Sequence, residues 1–181
     1  DRWTLAALIS IIAVGAVLTL AASPPVADRL GLDPFYFVRR QFVFLPLALA
    51  VVAATSLMSP RGIRRLAVVC FAAAVVLMVL TPFLGEEIKG ASRWIVLFGQ
   101  SIQPSEFVKP GFAVITAWLC AARRLEPRFP GYAISTALFA VVAALLLMQP
   151  DVGMTMVVAA VWGAQFFLAG LPLLLVGLIG V

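Results

Sequence analysis

No histidine occurs among the 181 residues, and with 13 Lys/Arg and 8 Asp/Glu the charged share is only 12%. A soluble domain typically carries about 25% charged and about 45–50% apolar residues. Here the apolar share is 64% and the mean hydropathy +1.12. So little polar surface cannot cover a water-facing shell, which excludes a soluble globular fold. The missing histidine removes the commonest general base and metal ligand, leaving carboxylates, Lys, Arg, Tyr and Ser for any chemistry. Cys70 and Cys120 stand singly inside apolar runs with no CxxC spacing, so a zinc or redox motif is unsupported and both read as small buried hydrophobes. A net charge of +5 and a pI near 10 do not point to nucleic acid. There is no long basic run, and the arginines gather at the ends of apolar segments, which is a membrane-topology pattern.

What the sequence does have is long charge-poor runs. Barrel strands would alternate over segments of about ten residues, whereas these runs are continuous for about 18 or more, enough for a helix to cross a hydrocarbon core. The expected spans are 5–22, 41–58, 66–84, 104–122, 133–148 and 152–169, with the start of a seventh at 171–181. The fold class is therefore all-α, a polytopic transmembrane helix bundle forming a single membrane domain over 1–181. The chain opens on Asp1 and ends inside an apolar run, so it is expected to be part of a longer protein with no signal peptide in view.

Orientation is read from the short loops. The loops 59–65 and 123–128 each hold three arginines and fall on the side that also takes the N-terminus, which the positive-inside rule makes cytoplasmic. The other side carries as many acids (Asp28, Asp33, Glu86, Glu87, Glu106, Asp151) as cations (Arg29, Arg39, Arg40, Lys89, Arg93, Lys109).

Three places hold residues that a purely structural bundle does not need. The insert 85–103 contains Ile95, Val96, Leu97, Phe98 and Ile102, too apolar for a solvated loop and too few to span. It is expected to lie at the interface or fold back into the bundle mouth, with Trp94 at headgroup depth. Trp94 alone also fits an aromatic-belt anchor, but Lys89 and Arg93 beside it are the cations an anionic phosphate group would need. In the fourth span Glu106 and Lys109 are spaced i, i+3, share a helix face and are expected to pair on the cavity side, either for function or as a structural ion pair. Pro104 suits a first helical turn, and Pro110 should loosen the turn after it. At 149–153 a tight turn presents Asp151, which either serves a site or caps the sixth helix, with Gly153 fitting close backbone packing. The pair Ala159 and Gly163 has the spacing of close helix contacts, a common feature of membrane spans that says nothing of function.

The string KGASRW at 89–94, the string QPSEFVK at 103–109 and the string QPDVG at 149–153 occur in the order and spacing that resemble the FtsW/RodA family, also called SEDS. The stretches 23–27 (SPPVA) and 37–41 (FVRRQ) resemble its division branch more than its elongation branch. Met154 stands where the family usually has threonine, with Thr155 one place later. The resemblance covers the whole chain but only the N-terminal part of the family's ten-helix architecture. It implies a multi-pass protein of the bacterial inner membrane, at the division septum. The implied activity is a peptidoglycan glycosyltransferase that polymerises lipid II into glycan strands for septal wall synthesis. The implied partners are a class B penicillin-binding protein, other divisome membrane proteins, lipid II and membrane lipid. Lys89, Arg93, Trp94, Gln103, Ser105, Glu106, Lys109 and Asp151 become the expected substrate-binding residues. The family's essential aspartate lies in an outer loop after the seventh helix, so no catalytic residue is expected within this chain. A divalent cation such as Mg2+ bridging diphosphate oxygens is compatible with this chemistry, but no residue here is marked as its ligand. A lipid-precursor flippase and a non-catalytic divisome scaffold are the alternative readings.

Overall fold

Among the described residues each of the six expected spans folds as a helix, and most of the helices outrun the apolar stretch that predicts them. In the computed structural model, which describes residues 2–84, 86–88, 91–97 and 100–170, the helices are α1 (Arg2–Arg29), α2 (Tyr36–Ser56), α3 (Pro60–Leu84), α4 (Pro104–Leu125), α5 (Gly131–Met148) and α6 (Val152–Leu168). Between α3 and α4 lie three short strands, β1 (Glu86–Ile88), β2 (Ala91–Leu97) and β3 (Gln100–Ile102). The expected seventh span lies outside the described residues. Helices α1, α2, α3 and α5 are long and apolar enough to cross a membrane. Helix α6 has 17 residues, and α4 has 22 with its charges near the two ends. The chain divides into two compact units, Asp1–Met58 and Ser59–Val181.

In the first unit α1 and α2 form a helical hairpin. Helix α1 does not stop at residue 22 but runs through Pro24 and Pro25, where the missing N–H groups fall in its last turns. The neighbouring Ser23 hydroxyl donates to the Pro34 carbonyl at 2.7 Å, which ties this stretch to the connection. Gly31, at φ +66°, ends the helix: the Leu32 N–H reaches the Ala27 carbonyl and the Gly31 N–H the Asp28 carbonyl, pairing carbonyls that the helix end leaves open. Asp33 then accepts from the Phe35 N–H and from Arg39, each at 2.8 Å.

In the second unit α4 is the central element, packed on α3, α5 and α6. Its buried residues Val108, Phe112, Ile115, Thr116 and Leu119 recur at helical spacing and form one stripe. Phe71, Ala74 and Met78 of α3 and Trp162 and Phe166 of α6 complete the core. The Trp162 ring stacks on Phe139 at 4.8 Å and meets Phe166 at 4.4 Å. In lipid there is little hydrophobic drive between helices, so close backbone approach and hydrogen bonds carry more of the association. Gly111 provides such an approach, since an added Cβ there would lie 2.9 Å from Phe71 Cβ and 3.1 Å from the Ala67 carbonyl. Across the α4–α6 contact the Thr116 hydroxyl donates to Gln165 Oε1, and Gln165 Nε2 donates to the Ala113 carbonyl at 2.8 Å. Helix α4 continues to Leu125 with Pro110 inside it.

Two sequence expectations need correction here, and a third gains detail. The stretch 59–65, expected as a loop, is mostly the start of α3: Pro60 takes the first position and the Gly62 N–H is accepted by the Ser59 hydroxyl at 3.2 Å, so Arg61, Arg64 and Arg65 ride on the helix. Cys120 is buried as expected, but Cys70 is exposed on α3. The insert 85–103, within a chain expected to be all-α, contains an antiparallel sheet of order β1-β2-β3. Glu86 pairs with Trp94, and Ile95 with Ile102. The β-branched and aromatic content of 94–97 favours strand, and two residues ending in glycine separate each pair of strands, a common hairpin signal. Strand β2 packs on α3 and α4, with Ile95 buried. The insert therefore folds back onto the bundle, but as a sheet.

Candidate functional site

Two of the three motifs meet at one end of the second unit, and the described part of the third lies on β2, which packs on α3 and α4. Gln103, the residue before α4, donates through Nε2 to Asp151 Oδ2 at 3.4 Å, joining the 103–109 string to the 149–153 string across 48 positions of sequence. Asp151 is buried and caps α6, its Oδ1 accepting the Met154 N–H at 3.1 Å. A carboxylate there meets both the unpaired N–H groups and the positive end of the helix dipole. Both carboxylate oxygens are thus engaged, which gives Asp151 the capping role offered by the sequence. Thr155, displaced by one position from the family pattern, uses its hydroxyl to bond the Asp151 carbonyl at 2.9 Å. Gly153 is not needed for space, because an added Cβ would meet only Asp151 Oδ1 at 3.9 Å.

Gln149, a motif position that the sequence reading did not single out, is buried and donates to the Met78 carbonyl of α3 at 3.0 Å. Met78 lies near the end of α3, so this bond ties the α5–α6 turn to the helix that leads into the sheet. The Ser105 hydroxyl, two residues after Gln103, is buried with no hydrogen-bond partner among the described residues. An unsatisfied buried hydroxyl is uncommon and here sits between two motif residues.

Glu106 and Lys109 form the expected ion pair, 2.7 Å between Oε2 and Nζ. The pair stands beside the packed stripe of α4, with side-chain exposures of 48% for Glu106 and 29% for Lys109. Trp94, on β2, is 36% exposed. Arg93 precedes it on the same strand, while Lys89 lies outside the described residues. Among the described residues no group of three Cys, Asp or Glu side chains converges.

The opposite end of this unit is held by residues that the sequence reading treated only as topology signals. Arg124 donates to the Leu168 and Ala169 carbonyls at 2.9 and 3.1 Å, closing the C-terminus of α6 where a cation suits the dipole. Gln103 and Asp151 thus mark one end of the bundle, and Arg124 with Ala169 the other. The Thr116–Gln165 bridge was also missed. Its signal was present, because a glutamine inside an apolar run is costly without a partner.

Comparison with known proteins gives these motifs a context. The family model described as "Cell cycle protein", FtsW/RodA/SpoVE, matches residues 2–181. The chain is 39% identical over 174 residues to a probable peptidoglycan glycosyltransferase FtsW of Caulobacter vibrioides, covering 96% of this chain and 45% of that protein. It is 38% identical over 176 residues to the FtsW of the same description from Alcanivorax borkumensis, covering 92% and 46%. Among solved structures, a chain of a peptidoglycan synthase complex that coordinates polymerization and crosslinking superposes with a TM-score of 0.75 at 34% identity, over 97% of this chain and 50% of that one. The rod shape determining protein RodA of Thermus thermophilus superposes at 0.67 and 34%, over 91% and 56%. The chain spans about half the length of the curated relatives it matches. With the family model matching nearly its whole length and two of the motifs meeting through Gln103 and Asp151, the chain belongs to the FtsW/RodA/SpoVE (SEDS) family, on the FtsW side of it.

Proposed function

We propose that this chain is the N-terminal membrane part of a peptidoglycan glycosyltransferase that polymerises lipid II during septal wall synthesis, working with a class B penicillin-binding protein. The observation that carries the proposal is the meeting of the 103–109 and 149–153 strings through Gln103 and Asp151, one turn from the Glu106–Lys109 pair. Polymerisation needs a base for the attacking sugar hydroxyl and positive charge for the departing polyprenyl diphosphate. Residues of this chain supply the second requirement. Lys109, with Lys89 and Arg93, neutralises the diphosphate, and Glu106 holds the Lys109 ammonium in place. Ser105, which is buried, and Gln103, bonded to Asp151, shape the same end behind the substrate, and Trp94 completes the set. Asp151 is a positioning residue, because its carboxylate is spent on α6 and Gln103. The base belongs to the part of the protein outside this chain.

The test is lipid II polymerisation by the complete protein with its penicillin-binding partner. Arg93→Glu is expected to lower glycan synthesis far more than protein abundance. Equal activity in the variant, or loss explained by degradation alone, removes Arg93 from the site. Absence of glycan from the complete wild-type pair overturns the polymerase assignment itself.

We further propose that the end bearing Arg124 and Arg128 is cytoplasmic and the end bearing Gln103 and Asp151 faces outward, as the arginine distribution supports. On a background with Cys70 and Cys120 replaced, Ser101→Cys should react with an impermeant thiol reagent in intact cells and Arg128→Cys only after permeabilisation. Both positions are exposed. Labelling of Arg128→Cys from outside reverses the orientation.

A further inference from the structure

At the end of the second unit remote from Gln103 and Asp151, Arg61, Arg64, Arg65, Val68 and Val69 of α3 and Trp118 of α4 line an open groove of about 570 Å³. The α3 residues follow i, i+3, i+4, i+7, i+8 spacing, so one face carries charge in its first turns and becomes apolar in the next. Among the described residues none of the three arginines lies within ion-pair distance of a carboxylate. Arg64 is already oriented: its Nε donates to the Pro60 carbonyl at 3.3 Å, and its guanidinium carbon lies 5.8 Å from the centre of the Trp118 ring. This leaves its two terminal amino groups for an anion, in the planar fork that matches phosphate oxygens. The N-terminus of α3 adds its positive dipole end to the same place.

We propose that this groove binds an anionic phospholipid, the phosphate held by Arg61, Arg64 and Arg65 and an acyl chain lying over Val68, Val69 and Trp118. A phosphate ion alone would use only the upper half of the groove. The apolar bed below it, with Val68 45%, Val69 65% and Trp118 40% exposed, lies along the helix axis in the direction an acyl chain takes into the bilayer. Three unneutralised guanidinium groups above an apolar strip complement a lipid whose headgroup carries net negative charge. A zwitterionic lipid brings its own cation and satisfies them less well. The site does not depend on the polymerase assignment, and its ligand would be a bulk component of the leaflet at this end.

The experiment is native mass spectrometry of the complete protein released from nanodiscs of mixed phosphatidylglycerol and phosphatidylcholine. Wild type is expected to retain phosphatidylglycerol in preference to phosphatidylcholine. Each Arg→Gln change at 61, 64 or 65 should weaken retention about five-fold, the worth of one basic residue at an anionic surface. Arg128→Gln, outside the groove, should leave it unchanged. If the triple variant does not fold, Val69→Trp, which fills the bed without touching the charges, carries the same comparison and should also reduce retention. Equal retention of the two lipids overturns the proposal, as does retention by the triple variant. Displacement of phosphatidylglycerol by millimolar inorganic phosphate overturns the lipid in favour of a simple anion site. No lipid retained by wild type, as when another helix of the complete protein fills the groove, overturns it as well.

Discussion

Lys109→Met and Glu106→Gln are each expected to reduce glycan synthesis by the complete protein about a hundred-fold, the size of effect seen when one donor to a developing anion is removed. Stability should hardly move. The two side chains are 29% and 48% exposed and lie in the first two turns of α4, within about 8 Å of its start at about 1.5 Å rise per residue, where water and headgroups screen the charge. An ion pair so placed contributes at most about 1 kcal/mol. This departs from the expectation for a fully buried pair, in which the orphaned charge would unfold the protein. The double variant should therefore be as abundant as either single one and equally inactive, measured by quantitative blotting beside lipid II polymerisation. Normal glycan synthesis in the double variant reduces the pair to a packing device. Full activity in Glu106→Gln alone shows that Lys109 needs no partner to hold it.

Gly131→Ala should be the most destabilising small substitution in the second unit. Gly131 begins α5 against the last turns of α4, and a Cβ there would run into the Leu119 carbonyl oxygen and come within 3.1 Å of Arg123 Cβ. The obstacle is backbone, so relief requires moving one helix relative to another. Overpacking typically costs about 1–3 kcal/mol, and a backbone clash belongs at the upper end of that range. Gly15→Ala in α1 is the control: nothing among the described residues lies within 4 Å of the added methyl, and alanine is the better helix former by about 1 kcal/mol. Thermal unfolding in detergent should show a clear drop for the first and none for the second. Equal melting of Gly131→Ala and wild type means that α4 and α5 do not approach as closely as described.

Much of this architecture was readable because lipid imposes a simple rule. A chain in hydrocarbon must satisfy its backbone internally, so runs of the right length become helices whatever their neighbours are. The i, i+3 spacing of Glu106 and Lys109 predicted a contact for the same reason, since it depends on helix geometry alone. Boundaries were less readable. Apolarity marks the part of a helix in lipid, whereas the helix ends where its caps are: α3 reaches back to Pro60 through three arginines, and α1 runs on to Gly31's left-handed turn. The sheet was hidden because 85–103 mixes strand-like and helix-like signals over too few residues for periodicity to decide.

Sequence by itself determined the membrane class, the helical fold, the motif residues and the family resemblance, because each depends on composition, local spacing or order along the chain. Only the tertiary structure decided that Gln103 meets Asp151, that Gln149 anchors the α5–α6 turn on α3, that Gln165 bridges to Thr116 and that Arg124 closes α6. Each of these bonds joins residues tens of positions apart, and which of several polar side chains finds which partner depends on how the helices cross and rotate. That rotation is set by the close approach at Gly111 and Gly131 and by the packing around Trp162, quantities that no spacing along the chain encodes.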